Sequence, residues 1–81
     1  MDFDVIEARY VAGYTVWLKF RDGTAGEIDL STILEGEVFE PLKDVRLFRQ
    51  FRICQPGSTL EWPNGADLAP EFLHDGVKAA A

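Results

Sequence analysis

The sequence predicts a small α+β domain, and three observations carry that reading. β-branched and aromatic residues recur on a partial period of two through residues 5–30. An Asp-Gly turn at Asp22-Gly23 divides that stretch, and after Leu30 helix caps and chain breakers replace the alternation. The order expected is βββ-α-ββ-α: a three-stranded antiparallel meander, a short helix, a second β-hairpin and a short C-terminal helix.

The first strand is expected at Val5–Val11 and the second at Tyr14–Phe20, with Ala12-Gly13 as the interruption. Alternation puts Tyr14, Val16, Leu18 and Phe20 on one face of the second strand, toward the core, and Thr15, Trp17 and Lys19 on the other. Arg21-Asp22-Gly23 reads as a type I′ hairpin turn, because Asp-Gly supplies the positive φ that such a turn requires. A third strand, Thr24–Leu30, follows with Ile28 and Leu30 on one face. Tight turns at both ends of the middle strand fix the register.

Ser31 is expected to cap a single helical or 3₁₀ turn that Gly36 closes, and Val38–Leu42 forms an apolar connector. Asp44 is placed to cap a helix over Val45–Gln50, with Phe48 anchoring it to the sheet. Phe51–Cys54 and Thr59–Trp62 flank Gln55-Pro56-Gly57-Ser58, which reads as the turn of a second hairpin with Arg52 and Glu61 paired across it. Asp67 or Ala69-Pro70 then opens a terminal helix through Leu73 or His74, with Pro70 where a helix tolerates proline. All 81 residues read as one domain, with an ordered core over about residues 3–75 and a flexible tail at 76–81.

The densest stretch is Trp62-Pro63-Asn64-Gly65-Ala66-Asp67-Leu68-Ala69-Pro70. Two prolines fix φ, Gly65 permits a left-handed backbone, and Asn64 and Asp67 can hydrogen-bond nearby amides, so the segment reads as a rigid turn delivering a helix. Trp62, Pro63, Asn64, Gly65, Asp67 and Pro70 are therefore the candidate interaction or structural motif. Within it Trp62 is assigned to the core and Asp67 to a helix cap, with engagement of a basic partner as the functional alternative for Asp67.

Composition narrows function more than motifs do. Eight basic residues against fourteen acidic ones give a net charge of −6, with acids spread from Asp2 to Asp75. Duplex DNA is bound mainly by neutralising phosphates, so direct nucleic-acid binding is not expected unless Arg46, Arg49 and Arg52 form a local patch. A basic or neutral protein partner suits the charge better, and a free edge strand, Val5–Val11 or Phe51–Cys54, offers strand addition to a partner or a second copy. With Trp17, which divides evenly between core and interface, those arginines make the candidate partner surface. The lone Cys54 forms no internal disulfide, and neither a basic leader nor a membrane-length apolar run is visible, so a cytoplasmic location without membrane attachment is expected.

The remaining candidates for chemistry are sparse. His74, the single histidine, sits beside Glu71 and Asp75, but without a second His or a Cys pair it is read as a solvated helix end and not a metal ligand. Cys54 as a nucleophile would need a base and an oxyanion site. A small enzyme using Cys54 and His74 is thus the remote alternative; no catalytic, cofactor-binding or metal residue is assigned.

Phe20-Arg21-Asp22-Gly23, Ile28-Asp29-Leu30, Gly36 with Phe39 and Leu42, Phe48, and above all Trp62-Pro63-Asn64-Gly65-Ala66-Asp67-Leu68 with Pro70 resemble the small bacterial domains grouped as domain of unknown function 2442. The resemblance runs from about Val5 to Leu73. It implies a small α+β fold and carries no catalytic residue over. Some relatives look like the N-terminal half of proteins that continue into a helix-turn-helix, and others look associated with toxin–antitoxin-like gene pairs. The resemblance thus implies a protein-interaction or regulatory role, with an accessory domain of a nucleic-acid-associated regulator as the alternative. No helix-turn-helix fits within this sequence, so direct DNA binding is not expected of it.

Overall fold

A computed structural model describes residues 4–54 and 59–80. The order is β1 (Val5–Ala12), β2 (Thr15–Phe20), β3 (Ala25–Asp29), two 3₁₀ turns at Ser31–Ile33 and Glu40–Lys43, α1 (Val45–Phe48), β4 (Arg52–Cys54), β5 (Thr59–Glu61) and α2 (Pro70–Ala80). The α+β class and the βββ-α-ββ-α order expected from sequence are both present. The expected turn at residues 55–58 lies outside the described residues.

β1, β2 and β3 form an antiparallel meander, and β4 pairs with β5 in a separate ladder that lies against β1. Val16, Leu18 and Phe20 are buried, so β2 faces the core as alternation predicts. Ala8 and Tyr10 are paired with Leu18 and Val16 and pack on the same side. β1 departs from strict alternation at two bulges, where Ile6 and Val11 are extra residues without a cross-strand partner.

The β2–β3 connection is a three-residue loop, not the type I′ turn expected. Phe20 N–H donates to Thr24 O at 2.8 Å, Gly23 N–H donates to Phe20 O at 3.0 Å, and Gly23 takes φ +92°. Such a loop uses glycine in the left-handed region at its last position. Ser31 does not cap its turn either. Leu30 stands at the N-cap position without a side-chain cap bond, and Asp29 just before it accepts from Ser31 N–H at 2.9 Å. Asp44 caps α1 as expected, accepting from Arg46 N–H at 3.0 Å, although α1 ends at Phe48.

The core gathers Phe48, Trp62, Leu42, Leu60, Leu30 and Leu34 with the inner sheet face and one stripe of α2. α2 lies on β3 and is longer than expected from sequence. It continues through Ala80, and Val77, placed by the sequence reading in a tail, is buried. The reason is helical spacing: Leu73 and Val77 stand one turn apart and continue the same buried stripe. The approach is close, since a Cβ at Gly26 would sit 3.0 Å from Val77 and one at Gly76 would overlap the Ile28 side chain.

Candidate functional site

The Trp62–Pro70 segment folds as a second three-residue loop. Trp62 N–H donates to Ala66 O at 2.8 Å, Gly65 N–H donates to Trp62 O at 3.0 Å, and Gly65 has φ +92°. Asn64 stitches the loop twice: Oδ1 accepts from Ala66 N–H at 3.1 Å and Nδ2 donates to Val38 O at 2.9 Å. Trp62 is 1% exposed, and its indole N–H donates to Phe48 O at 2.8 Å. Its ring lies 5.8 Å from Phe48 and 6.4 Å from Phe51, so the core assignment of Trp62 is correct.

Asp67 is not a helix cap. It is exposed and bridges Glu61, while Thr59 Oγ1 donates to Leu68 O, so the chain after the loop runs back along β5. α2 begins three residues later at Pro70, which occupies the first helical position, and Leu73 N–H donates to Ala69 O. Backbone pairing of residues 66–68 keeps the chain extended through Asp67, so the helix starts at Pro70 and its N-cap position falls to Ala69, two residues beyond the carboxylate.

The outer face of the meander is a different kind of surface. Three cross-strand rows line it: Glu7–Lys19–Ala25, Arg9–Trp17–Glu27 and Ala12–Thr15–Asp29. Arg9, Lys19, Ala25, Glu27 and Asp29 are exposed, and Trp17 at the centre is half-buried between its neighbours. The Arg9 guanidinium lies 5.5 Å from the Trp17 ring centroid, and its Nη2 is 2.7 Å from Glu7 Oε2. At the bulges Ile6 and Val11 are 47% and 42% exposed. Bulges occur preferentially where a side chain must be re-aimed, at sheet edges and functional sites.

The three arginines grouped with Trp17 are all exposed, and each has an intrachain neighbour. Arg46 pairs with Asp44 at 3.2 Å, Arg52 pairs with Glu61 at 2.9 Å as expected, and Arg49 lies 4.9 Å from the Tyr10 ring. The Arg46 side chain, with its backbone N–H, holds the Asp44 carboxyl below its ordinary range, and the carboxylate raises Arg46 in return. Arg46 and Arg52 thus each have a carboxylate partner that offsets their charge toward phosphate, while Arg49 lies over a neutral ring.

His74 is not a solvated helix end. It is 6% exposed, its Nε2 donates to Asp22 Oδ2 at 2.8 Å, and Phe20 meets it edge-on at 4.9 Å. The Thr24 N–H and then the imidazole hydrogen-bond the Asp22 carboxylate and hold its pKa below the ordinary value. These residues stand 52 apart in sequence; no local pattern joins them. Among the described residues no group of three or more His, Cys, Asp and Glu is placed to hold a metal, and no helix is long and apolar enough to cross a membrane.

Fold and surface together define a small α+β domain whose most distinctive motif is an exposed loop anchored by the buried Trp62 and Ala66, and whose open face is the back of a sheet. A family model described as "Protein of unknown function (DUF2442)" matches residues 5–79, nearly the whole chain, and the chain belongs to that family. No curated protein and no solved structure matches it significantly. Arg9, Glu27, Ile6 and Val11 were missed by sequence reasoning. The available signal was the pair of short turns around β2, which sets Arg9 and Glu27 on either side of Trp17.

Proposed function

We propose that this domain is a non-enzymatic protein-interaction module of the bacterial cytoplasm, a regulatory or antitoxin-like partner for a more basic protein. The observation that supports it best is the open outer face, with Trp17 at its centre and the exposed Ile6 and Val11 along one side. Aromatic and arginine side chains ringed by polar groups are what interface hot spots are made of. The net charge of −6 favours a cationic partner and speeds its encounter. The Trp62–Asp67 motif serves this face at a distance, by holding the hairpin and α1 together behind it.

The test is capture from the native lysate with wild-type and Trp17→Thr baits of equal melting temperature, analysed by mass spectrometry at low and high salt. The expected result is a stoichiometric basic protein that wild type retains and Trp17→Thr releases. An empty wild-type bait, or a partner indifferent to Trp17, would overturn the reading.

A further inference from the structure

Resting on that interaction-module reading, we propose that the Trp17 face is a guanidinium-binding platform, occupied by Arg9 in the free protein and by an arginine of a basic partner segment in the complex. Arg9 shows that the platform accepts a guanidinium, since its Cζ lies 5.5 Å from the Trp17 ring centroid. Arg9 is also loosely held. Its side chain is 73% exposed, and its ion pair to Glu7 is of the solvent-exposed kind that contributes little. An incoming arginine therefore displaces it at small cost.

The surroundings supply the complementary charge. Glu27 stands directly across the strand from Trp17, Asp29 is the next outer-face residue of β3, and Glu7 neighbours Arg9 on β1. The paired rows of this face carry three carboxylates, Glu7, Glu27 and Asp29, against two cations, Arg9 and Lys19. The Ser31 N–H bonds the Asp29 carboxylate and holds its pKa below the ordinary value. A planar, weakly hydrated guanidinium stacks on an indole and bonds a carboxylate at the same time, which a lysine ammonium does less well. Phosphate is the wrong ligand for such a ring of acids.

Dye-labelled hexa-arginine and hexa-lysine peptides, titrated by fluorescence anisotropy against the full chain, test the proposal. The expected result is tighter binding of hexa-arginine than of hexa-lysine. Arg9→Ala should tighten hexa-arginine binding by about two- to fivefold by removing the internal competitor. Trp17→Thr should abolish the preference and Trp17→Phe should keep part of it. Should Trp17→Thr fail to fold, Arg9→Ala decides the matter. Equal affinity for the two peptides, or indifference to Arg9→Ala, overturns the proposal. If the peptides are not distinguished while lysate capture still depends on Trp17, the guanidinium chemistry falls and the interaction module stands; if capture is also indifferent to Trp17, both fall.

Discussion

The two three-residue loops, Arg21-Asp22-Gly23 and Pro63-Asn64-Gly65, are built to one plan and anchored in two different ways. Each follows a buried aromatic, Phe20 or Trp62, and each ends on a glycine at φ +92°. In each the middle side chain accepts the N–H two residues on, Thr24 for Asp22 and Ala66 for Asn64. The second anchor differs. Asp22 accepts a hydrogen bond from the buried imidazole of His74 on α2, whereas Asn64 donates to the Val38 carbonyl in the connector. A carboxylate makes the first clamp dependent on pH, and an amide leaves the second insensitive to it. Backbone chemistry thus sets the loop, and the identity of one Asx side chain sets what the loop holds.

Removing the aromatic that precedes each loop should have the largest effect. Phe20→Ala and Trp62→Ala should each cost about 3–5 kcal/mol in urea unfolding, with Trp62→Ala at the upper end because it also strips the Phe48 carbonyl of its donor. Equal losses would show that the indole hydrogen bond contributes nothing. Gly23→Ala and Gly65→Ala come next, at about 1–2 kcal/mol each, since both force a Cβ into the left-handed region. A large difference between those two would break the equivalence of the loops.

Smaller again is Asn64→Ala, which should cost about 1 kcal/mol independent of pH, whereas the Asp22 clamp should titrate. A carboxyl whose folded pKa lies below its ordinary value adds stability that is fully present above that ordinary value and is lost as pH falls through the folded pKa. The stability gap between wild type and Asp22→Asn should therefore shrink as pH falls below about 4. A gap that widens below that pH would contradict the sign. Arg52→Ala should have the least effect, below about 1 kcal/mol, because its pair with Glu61 is largely exposed.

Both loops were legible in the sequence as turns, and so were all five strands and both helices, because glycine after Asp or Asn and period-two alternation are local signals. What was not legible is what those residues touch. The pairing of His74 with Asp22 depends on α2 continuing to Ala80 and crossing β3, a tertiary event that no spacing around His74 announces. Asp67 has the composition of a cap, yet ladder pairing with Glu61 claims it first. Trp17 was ambiguous for the opposite reason: alternation gave its face, but not whether a helix would cover that face. Arg46, Arg49 and Arg52 cluster in sequence and are separately engaged in space.

The measurement that bears most directly on the division between a scaffolding loop and a binding face is lysate capture and thermal melting on one pair of variants, Asn64→Ala and Trp17→Thr. The account predicts that Asn64→Ala lowers the melting temperature and still retains the partner at temperatures where it is folded, while Trp17→Thr melts near wild type and retains none. The reverse pattern, a stable Asn64→Ala without partner and a Trp17→Thr that still binds, would place function in the loop and contradict it.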